Sequence, residues 1–394
     1  MNYDNILCRR VNDVPPSGIR KFFDIVSEMK DAISLGVGEP DFTTPWAYND
    51  AAIYSLRQGK THYTSNWGLI ELRRAIAQYE EKRFGASYDP AKQILVTVGA
   101  SEGIDLALRA LIEPGDEVLA PDPTYVSYKP GIVFAGGVCV TVPTYAKDQF
   151  RMTPEAIRAA ITPKTKALVF PYPNNPTGGV MRRADMEQIA DVLRGTDIIV
   201  IADEIYAELT YGAEKHCAFA AIPGMWERTI TLNGFSKAFA MTGWRMGYAC
   251  GPTELLAVMC KIHQFTMLCA PTAGQYAAIE ALESGLANGY QDVSHMVRAY
   301  DRRRRIVVDA LNRSGLDCFE PLGAFYAFPS IAKTGLTSQD FCKRLLEREK
   351  VACVPGDAFG VLGNGHIRIS YATATDKLVE AMKRIDQFVQ ELGA

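Results

Sequence analysis

Short apolar runs alternate with amphipathic segments along the chain from about residue 94 onward. Seven runs rich in β-forming residues lie at positions 94–98, 117–121, 138–142, 166–170, 198–202, 229–233 and 246–250. Four of them contain or adjoin nearly continuous stretches rich in valine and isoleucine, which is the pattern of strands covered on both faces. We therefore predict seven strands in a buried sheet.

Helical periodicity fills several of the gaps between these runs. It occurs in segments 101–112, 153–161 and 183–194, and Ser101 and Thr153 stand where helix-capping residues are expected. Alternation of strands and helices is typical of α/β proteins, in which helices cover both faces of a mostly parallel sheet.

The pattern changes after about residue 285. It predicts a long charged helix at 294–315, hairpin-like strands at 319–330 and a terminal helix at 376–392. We expect these elements to form a smaller α+β domain. The N-terminal residues should pack with it, because their helical segment 17–29 has no sheet of its own. The predicted domains are 46–285, the large one, and 1–45 with 286–394, the small one.

The composition narrows the class of protein. The 394 residues are 48% hydrophobic and 22% charged, and the net charge of −3 favours neither nucleic acid nor an anionic membrane as a partner. The nine cysteines are scattered, without spacing to the five histidines that is typical of a metal site, and fit a reducing compartment. No run reaches the roughly 20 apolar residues that span a membrane. We expect a cytoplasmic protein without a metal.

Candidate ligand-binding residues follow the predicted strands, where parallel sheets bind their ligands. After the first strand, Gly99 allows a tight turn, and Ala100 and Ser101 open a helix whose free N–H groups can hold an anion. An ordinary turn between strand and helix is the alternative. Tyr125 follows the second strand and could stack on a planar ligand, or could be a core tyrosine.

Polar side chains follow two further strands. Asn175, in the sequence NNPTGG, could aim its amide at the cleft or belong to a plain loop. Asp203 follows five apolar residues, where an unpaired carboxylate is costly. It could cap a helix, or face a cationic or protonated heterocycle together with Tyr206, three residues later.

The stretch LNGFSKAFAMTGWRMGY places Lys237 among small and apolar residues, with Arg245 eight positions later. A lysine in a dry pocket near other cations loses its proton readily and becomes a nucleophile. An arginine suits a phosphate or a carboxylate. The alternatives are a snorkelling lysine and a salt-bridged arginine.

Together these residues supply an anion site, a stacking ring, a carboxylate, a phenol, an amine and a guanidinium at one edge of one sheet. Pyridoxal 5′-phosphate needs this set, because its phosphate, ring nitrogen, phenolic oxygen and aldehyde each require one of these groups. Neither a metal site nor a nicotinamide site needs the combination.

The sequence also resembles a known family. The motifs are SLGVGEPDF at 34–42, HYTSNWG, VTVGASEGI, YPNNPTGG, ADEIYAEL, NGFSKAFAMTGWRMGYACGP, GAFYAFP and GHIRISYA at 365–372. They are similar to those of the class I aminotransferases of fold-type I, which depend on pyridoxal phosphate. The resemblance implies a large domain with a mostly parallel seven-stranded sheet between helices, and a smaller α+β domain.

The resemblance also implies a role for each matching residue at the cofactor. Lys237 would bind the aldehyde covalently and then carry the proton, and Asp203 would pair with the ring nitrogen. The remaining residues are implied to bind the phenolic oxygen (Tyr206 and Asn175), the ring face (Tyr125) and the phosphate (Ala100, Ser101, Ser236 and Arg245). In the family, a tyrosine matching Tyr63 reaches the phosphate from the neighbouring subunit, which implies a homodimer with shared sites.

Substrate recognition is implied less fully. Arg368 would bind the α-carboxylate of an amino acid, aided by Asn175 and the backbone N–H of Gly38. Many animal aspartate aminotransferases carry a serine three residues before the lysine, where this chain has Gly234, so their substrate preference does not transfer directly.

The side-chain pocket would be formed by Ile19 and Phe22, by Tyr125, and by Trp67 of the partner subunit. These residues favour aromatic amino acids as donors, with aspartate or N-acetyl-diaminopimelate as further candidates and 2-oxoglutarate as the acceptor. Candidate cations for a distal carboxylate are Lys60, Lys129 and Arg20. Two other functions remain open at this point, namely a carbon–sulfur β-lyase of the same fold and a non-enzymatic sensor domain.

Overall fold

The computed structural model describes residues 1, 3, 6–16, 29 and 31–393. Most of the predicted N-terminal helix, residues 17–28, lies outside this part of the chain. The predicted pocket residues Ile19 and Phe22 and the candidate cation Arg20 also lie outside the described residues.

Within the described ranges, the main sheet confirms all seven predicted strands. They are β2 (Ile94–Thr97), β3 (Glu117–Asp122), β4 (Val138–Pro143), β5 (Thr165–Phe170), β6 (Ile199–Asp203), β7 (Thr229–Gly234) and β8 (Gly247–Cys250), in the order β2-β8-β7-β6-β5-β3-β4. Strand β8 runs antiparallel to both of its neighbours, and the other pairs are parallel. The carboxyl ends of the six co-directional strands therefore lie along one edge.

The helices of the described part, in chain order, are α1 (Arg9–Asn12), α2 (Trp46–Arg57), α3 (Ile70–Phe84), α4 (Gly99–Leu111), α5 (Tyr128–Ala135), α6 (Pro154–Ala160), α7 (Arg183–Leu193), α8 (Thr253–Thr266), α9 (Thr272–Asn288), α10 (Gln291–Arg313), α11 (Ser338–Glu349) and α12 (Thr375–Glu391). Five of them, α4, α6, α7, α10 and α12, confirm predicted segments with small shifts, and the others were not predicted. Thr153 caps α6, since its hydroxyl accepts a hydrogen bond from the N–H of Ala156. The prediction that Ser101 caps a helix is wrong, because α4 begins two residues earlier, at Gly99.

The short 3₁₀ helices connect the larger elements. They are Ala146–Asp148, Phe219–Ala221, Trp226–Arg228, Ala332–Thr334, Gly356–Phe359 and Val361–Gly363. Of the helices in the described part of the chain, none combines the length and the apolar character needed to cross a bilayer.

Successive residues of the strands pack into different clusters, because side chains alternate across a sheet. In β2, Leu95 belongs to the cluster beneath α4, α5 and α8, whereas Ile94 and Val96 belong to the cluster beneath α3 and α9. Both faces are covered and all of these side chains are fully buried. The sheet is therefore a rigid support for the residues that follow its strands.

A third cluster combines the C-terminal residues with an N-terminal one. It contains Leu35 together with residues of α10, α11 and α12, and β1 (Ile33–Ser34) pairs in parallel with β10 (Val351–Ala352). The prediction of a local hairpin at 319–330 is wrong, because β9 (Tyr326–Ala327) pairs with β12 (Ile367–Ser370), which in turn pairs with β11 (Val354–Pro355). The domain boundary near residue 285 stays a prediction.

Candidate active site

A cavity of about 540 Å³ opens at the carboxyl edge of the main sheet. It brings together most of the site residues predicted from the sequence. These are Gly38, Ala100, Ser101, Tyr125, Asn175, Asp203, Tyr206, Ser236, Lys237, Arg245 and Arg368. Because they come from the ends of five strands and from both terminal parts of the chain, the cavity depends on the whole fold.

Lys237 lies in the turn that follows β7 and lines the cavity. Its amine donates a hydrogen bond of 2.7 Å to the carbonyl oxygen of Gly38. Burial is the main reason why the pKa of Lys237 falls to about 8; the positive charges of Arg368 and Arg245 act in the same direction, and Glu39 opposes them. The amine is therefore largely available as a nucleophile under mildly alkaline conditions.

Asp203 ends β6 and turns its carboxylate into the cavity. Oδ1 accepts a hydrogen bond of 3.2 Å from the N–H of Ile205, and Oδ2 accepts one of 2.8 Å from the hydroxyl of Tyr128. The chain continues as a turn at residues 205–208, so Asp203 caps no α-helix there. Burial raises the pKa of Asp203 to about 6, although both hydrogen bonds lower it. A cation facing this carboxylate would restore the charged form.

The anion site lies at the start of α4. Gly99 has a φ of +73°, and a β-carbon there would lie 2.6 Å from Nη2 of Arg245. Arg245 itself has a φ of +55°, a conformation that non-glycine residues rarely adopt. The close approach of Arg245 to the glycine places a guanidinium beside the free N–H groups of the helix, where an anion is stabilised from both sides.

Arg368 lies on β12 and is buried close to two aromatic rings. Its Cζ lies 4.5 Å from the ring centre of Tyr326 and 4.8 Å from that of Phe359. Nη1 donates to Oδ1 of Asn175 at 2.9 Å, and Nη2 donates to the carbonyl oxygen of Gly36. Among the described residues, the buried Nε atom has no hydrogen-bond partner. An unpaired buried donor is costly, so this one favours an anionic ligand.

Tyr206 shares a hydrogen bond of 2.9 Å with the hydroxyl of Tyr326, and the amine of Lys237 lies 6.0 Å from the centre of its ring. A β-carbon on Gly38 would lie 2.8 Å from the same Tyr326 hydroxyl. The segment around Gly38 therefore packs directly on this pair of tyrosines.

Sequence reasoning missed two of these residues. Tyr128 ends the sequence DPTYVSY, and its position one helical turn after Tyr125 was a usable signal. Tyr326 lies in the motif GAFYAFP, but only its pairing with Tyr206, 120 positions away, reveals its part in the site.

A profile of the family described as "Aminotransferase class I and II" matches residues 30–385. The chain belongs to this aminotransferase family. It is 47% identical to an aspartate aminotransferase of Pyrococcus abyssi over 382 residues, which are 97% of this chain and 98% of that protein. It is 44% identical to aromatic-amino-acid aminotransferase 2 of Thermococcus litoralis over 385 residues, 98% of each chain.

Solved structures agree with this assignment. The structure of the aspartate aminotransferase of Thermus thermophilus with maleate has a TM-score of 0.92 and 39% identity, covering 97% of this chain and 99% of that chain. The fold class and the resemblance inferred from the sequence are confirmed, and the chain is an enzyme. The relatives named here are aminotransferases, so they give no support to the β-lyase alternative.

Aminotransferases of this family depend on pyridoxal phosphate, and the cavity has the groups that this cofactor requires. The space that a β-carbon at Gly99 would fill lies beside Arg245, which suits a phosphate. The buried carboxylate of Asp203 suits the protonated ring nitrogen, and the amine of Lys237 suits the aldehyde. The residues present therefore fit the cofactor.

Four predicted substrate or partner residues lie elsewhere in this aminotransferase. Tyr63 is 80% exposed, and Trp67 packs against the cluster beneath α4. Neither they nor the candidate cations Lys60 and Lys129 belong to the described lining of the cavity. The roles of Tyr63 and Trp67 depend on a partner subunit and stay predictions.

Proposed function

We propose that this aminotransferase transfers the amino group of aromatic L-amino acids to 2-oxoglutarate, in a homodimer with shared active sites. One observation supports the preference for aromatic donors. The described lining of the cavity contains three cationic side chains, Lys237, Arg245 and Arg368. Each has a proposed role at the cofactor or at the α-carboxylate, which leaves no cation in the described lining of the cavity for a second carboxylate.

The apolar lining supports the same preference. Val37, Ile104, Ile205, Pro171 and Pro173 line the cavity beside its tyrosines. A pocket of this kind gains free energy by burying a phenyl or phenol ring, and it offers poor compensation for a buried carboxylate. The Pyrococcus abyssi and Thermococcus litoralis relatives carry the names of both donor classes, so their names do not decide between them.

When bound, the cofactor withdraws the electrons that remain on Cα after its proton leaves. Asp203 keeps the ring nitrogen protonated, because its buried carboxylate is stabilised by a facing positive charge. With the cofactor bound, Lys237 would take the proton from Cα and deliver it back on the cofactor side, a positioned transfer of the kind that is worth roughly 10²- to 10⁴-fold in rate. Its lowered pKa suits it to both directions of the transfer.

The remaining side chains orient the cofactor and the substrate. Asn175 uses its carbonyl oxygen to accept from Arg368, which leaves its NH₂ group to donate to the phenolic oxygen, together with Tyr206. Tyr125 would stack on the cofactor ring, and Ala100, Ser101, Ser236 and Arg245 would hold its phosphate. Arg368 binds the α-carboxylate with its unpaired Nε and one terminal nitrogen, which gives the bidentate geometry that carboxylates favour.

An exposed apolar patch supports the homodimer. Tyr63 and Phe265 are 80% and 81% exposed, and Met267 and Leu268 are also exposed. The two segments lie side by side, since Asn66 donates a hydrogen bond of 2.7 Å to the carbonyl oxygen of Leu268. A contiguous patch of this kind is typical of a protein interface.

The test of donor specificity is a spectral titration of the purified holoenzyme with amino acids in the absence of an acceptor. Conversion to the pyridoxamine form replaces the absorption of the bound aldehyde. We expect phenylalanine and tyrosine to cause this change at lower concentrations than aspartate. Preferential conversion by aspartate or N-acetyl-diaminopimelate would overturn the aromatic proposal. The acceptor is then identified by adding 2-oxoglutarate, pyruvate or oxaloacetate to the pyridoxamine form and following the reverse change.

Shared sites are tested by mixing two inactive variants, Lys237→Ala and Tyr63→Ala. A mixed dimer has one site with both substitutions and one site with neither, so random exchange should restore about a quarter of the wild-type sites. Absence of any recovery in a demonstrated mixed dimer would show that Tyr63 serves its own chain. A monomer in sedimentation experiments would contradict the dimer itself.

A further inference from the structure

The segment that contains Phe359 is fastened to the end of strand β3 by backbone groups. The N–H groups of Val361 and Leu362 each donate a hydrogen bond of 3.2 Å to the carboxylate of Asp122, the last residue of β3. The N–H of Thr124 donates one of 2.9 Å to the carbonyl oxygen of Phe359. Asp122 is 6% exposed and lies outside the described lining of the cavity.

The fit between this carboxylate and the segment depends on a glycine. Gly360 has a φ of +138°, and a β-carbon there would collide with the carboxylate of Asp122. The chain thus wraps closely around one buried acid, whose two oxygens each accept one N–H donor. Pairing of this kind offsets the cost of burying a carboxylate.

The same segment forms one wall of the Arg368 site. Phe359 directly precedes Gly360 in the chain and is 4% exposed, and the centre of its ring lies 4.8 Å from Cζ of Arg368. The ring centre of Tyr326 lies 4.5 Å from the same Cζ atom. Because rings packed this closely against a guanidinium restrict its tilt, the position of Phe359 affects the direction of the free Nε.

We propose that Asp122 is a positioning residue for recognition of the substrate's α-carboxylate. It holds the segment 359–362 against β3, the segment holds Phe359 against Arg368, and Arg368 meets the carboxylate in a fixed orientation. This inference rests on the proposed role of Arg368. It adds a residue that touches neither the substrate nor the cofactor.

The experiment compares two donors that differ by the α-carboxylate alone, phenylalanine and 2-phenylethylamine, in single-turnover half-reactions of the holoenzyme. In the Asp122→Ala variant we expect the apparent KM for phenylalanine to rise about tenfold or more, because Arg368 no longer meets the α-carboxylate in the favourable orientation. The apparent KM for 2-phenylethylamine, which has no carboxylate, should stay unchanged. If the wild-type enzyme proves to prefer aspartate, β-alanine serves as its counterpart without the α-carboxylate. A general loss of structure would impair both donors equally and would overturn the proposal.

Binding without catalysis gives a second readout. Calorimetry with 3-phenylpropanoate, or succinate for an aspartate-type enzyme, measures carboxylate binding directly. We expect a dissociation constant about tenfold higher in Asp122→Ala than in the wild-type protein. If Asp122→Ala does not fold, Asp122→Asn keeps one acceptor for the two N–H groups and is measured in the same way.

A double-mutant cycle tests whether the collision at Gly360 acts through Asp122. Gly360→Ala alone should weaken phenylalanine binding, and its effect should shrink when Asp122 is already alanine, because the collision is then gone. Additive effects would overturn the proposal. The Arg368→Lys variant separates the proposed role of Arg368 from the positioning role of Asp122. If it leaves the preference for phenylalanine over 2-phenylethylamine unchanged, the proposed role of Arg368 fails; if it abolishes the preference while Asp122→Ala does not alter it, only the positioning role fails.

Discussion

The amine of Lys237 donates a hydrogen bond to the carbonyl oxygen of Gly38 across 199 positions of the sequence. The bond joins the turn after the sheet's β7 strand to the N-terminal segment that connects β1 with α2. It also holds the amine in the cavity before any ligand arrives. Since one hydrogen bond to a neutral carbonyl does little to offset burial, the pKa of the amine stays low, at about 8.

The first prediction concerns the nucleophilicity of this amine. In the cofactor-free protein, acetylation of Lys237 by acetic anhydride should increase with pH around a midpoint near 8, because the protonated amine does not react. An ordinary lysine has a midpoint near ~10.4. Peptide mass spectrometry after digestion measures the acetylation of Lys237 at each pH. A midpoint for Lys237 at the value of an ordinary lysine would contradict the prediction.

The second prediction concerns the loss of folding stability that accompanies ionisation of the buried Asp203. Burial raises its pKa from 3.8 to about 6, so the folded protein binds the proton of Asp203 more tightly than the unfolded chain does. The associated stability is fully present below about pH 4 and is lost as the pH rises through 6. Asp203→Asn should therefore stabilise the cofactor-free protein at pH 8 by up to about 3 kcal/mol, and progressively less towards pH 4.

Urea denaturation of the cofactor-free proteins at pH 5 and pH 8 measures this difference. The asparagine can accept from the N–H of Ile205 and donate to Tyr128, so no hydrogen-bonding group need be lost. Affinity for pyridoxal phosphate should fall in the same variant, since the ring nitrogen loses its anion. A variant less stable than the wild type at pH 8 would show that the charge is already compensated without the cofactor.

Local patterns explain why the sequence predicted the main sheet and the residues at its edge. Each strand is a short apolar run, and Asp203 and Lys237 follow such runs directly, so their placement required no knowledge of distant contacts. The pairing of β9 with β12 joins residues that are 42 and 44 positions apart, and the sequence suggested a local hairpin instead. Loop closure over that distance leaves no periodic signal.

The residues that support the site through distant contacts could not be predicted from the sequence for the same reason. Tyr326 was recognised only as part of a motif, and Asp122 carried no signal beyond a turn before Pro123. Their importance follows from hydrogen bonds to Tyr206 and to the backbone at residues 361–362. Such contacts are set by the packing of the C-terminal part against the sheet, and this packing cannot be read from one strand or one helix.

The third prediction separates the two contacts of Tyr326. Tyr326→Phe removes the hydrogen bond to Tyr206 but keeps the ring at 4.5 Å from Arg368, whereas Tyr326→Leu removes both. We expect the apparent KM of the donor to change little in the first variant and to rise about tenfold in the second, since a desolvated cation–π contact is worth roughly 1–2 kcal/mol. Steady-state kinetics at saturating acceptor measure both values. Equal KM values for the two variants would assign the effect to the hydroxyl instead.

The last prediction concerns the phosphate end of the cavity and uses two glycines with the same positive φ angle. Gly99 and Gly289 both have a φ of +73°, but a β-carbon at Gly99 would lie 2.6 Å from Arg245, whereas one at Gly289 would meet nothing within 4 Å. Alanine at either position should cost about 1 kcal/mol of stability through the backbone. Only Gly99→Ala should also displace the guanidinium and weaken pyridoxal phosphate binding, by about tenfold or more, the loss expected for a misaligned charge-assisted contact. Fluorescence titration of the cofactor-free variants measures the affinity, and thermal unfolding confirms that the backbone cost is matched. Equal affinities for the two variants would mean that Arg245 does not bind the phosphate from its position beside Gly99.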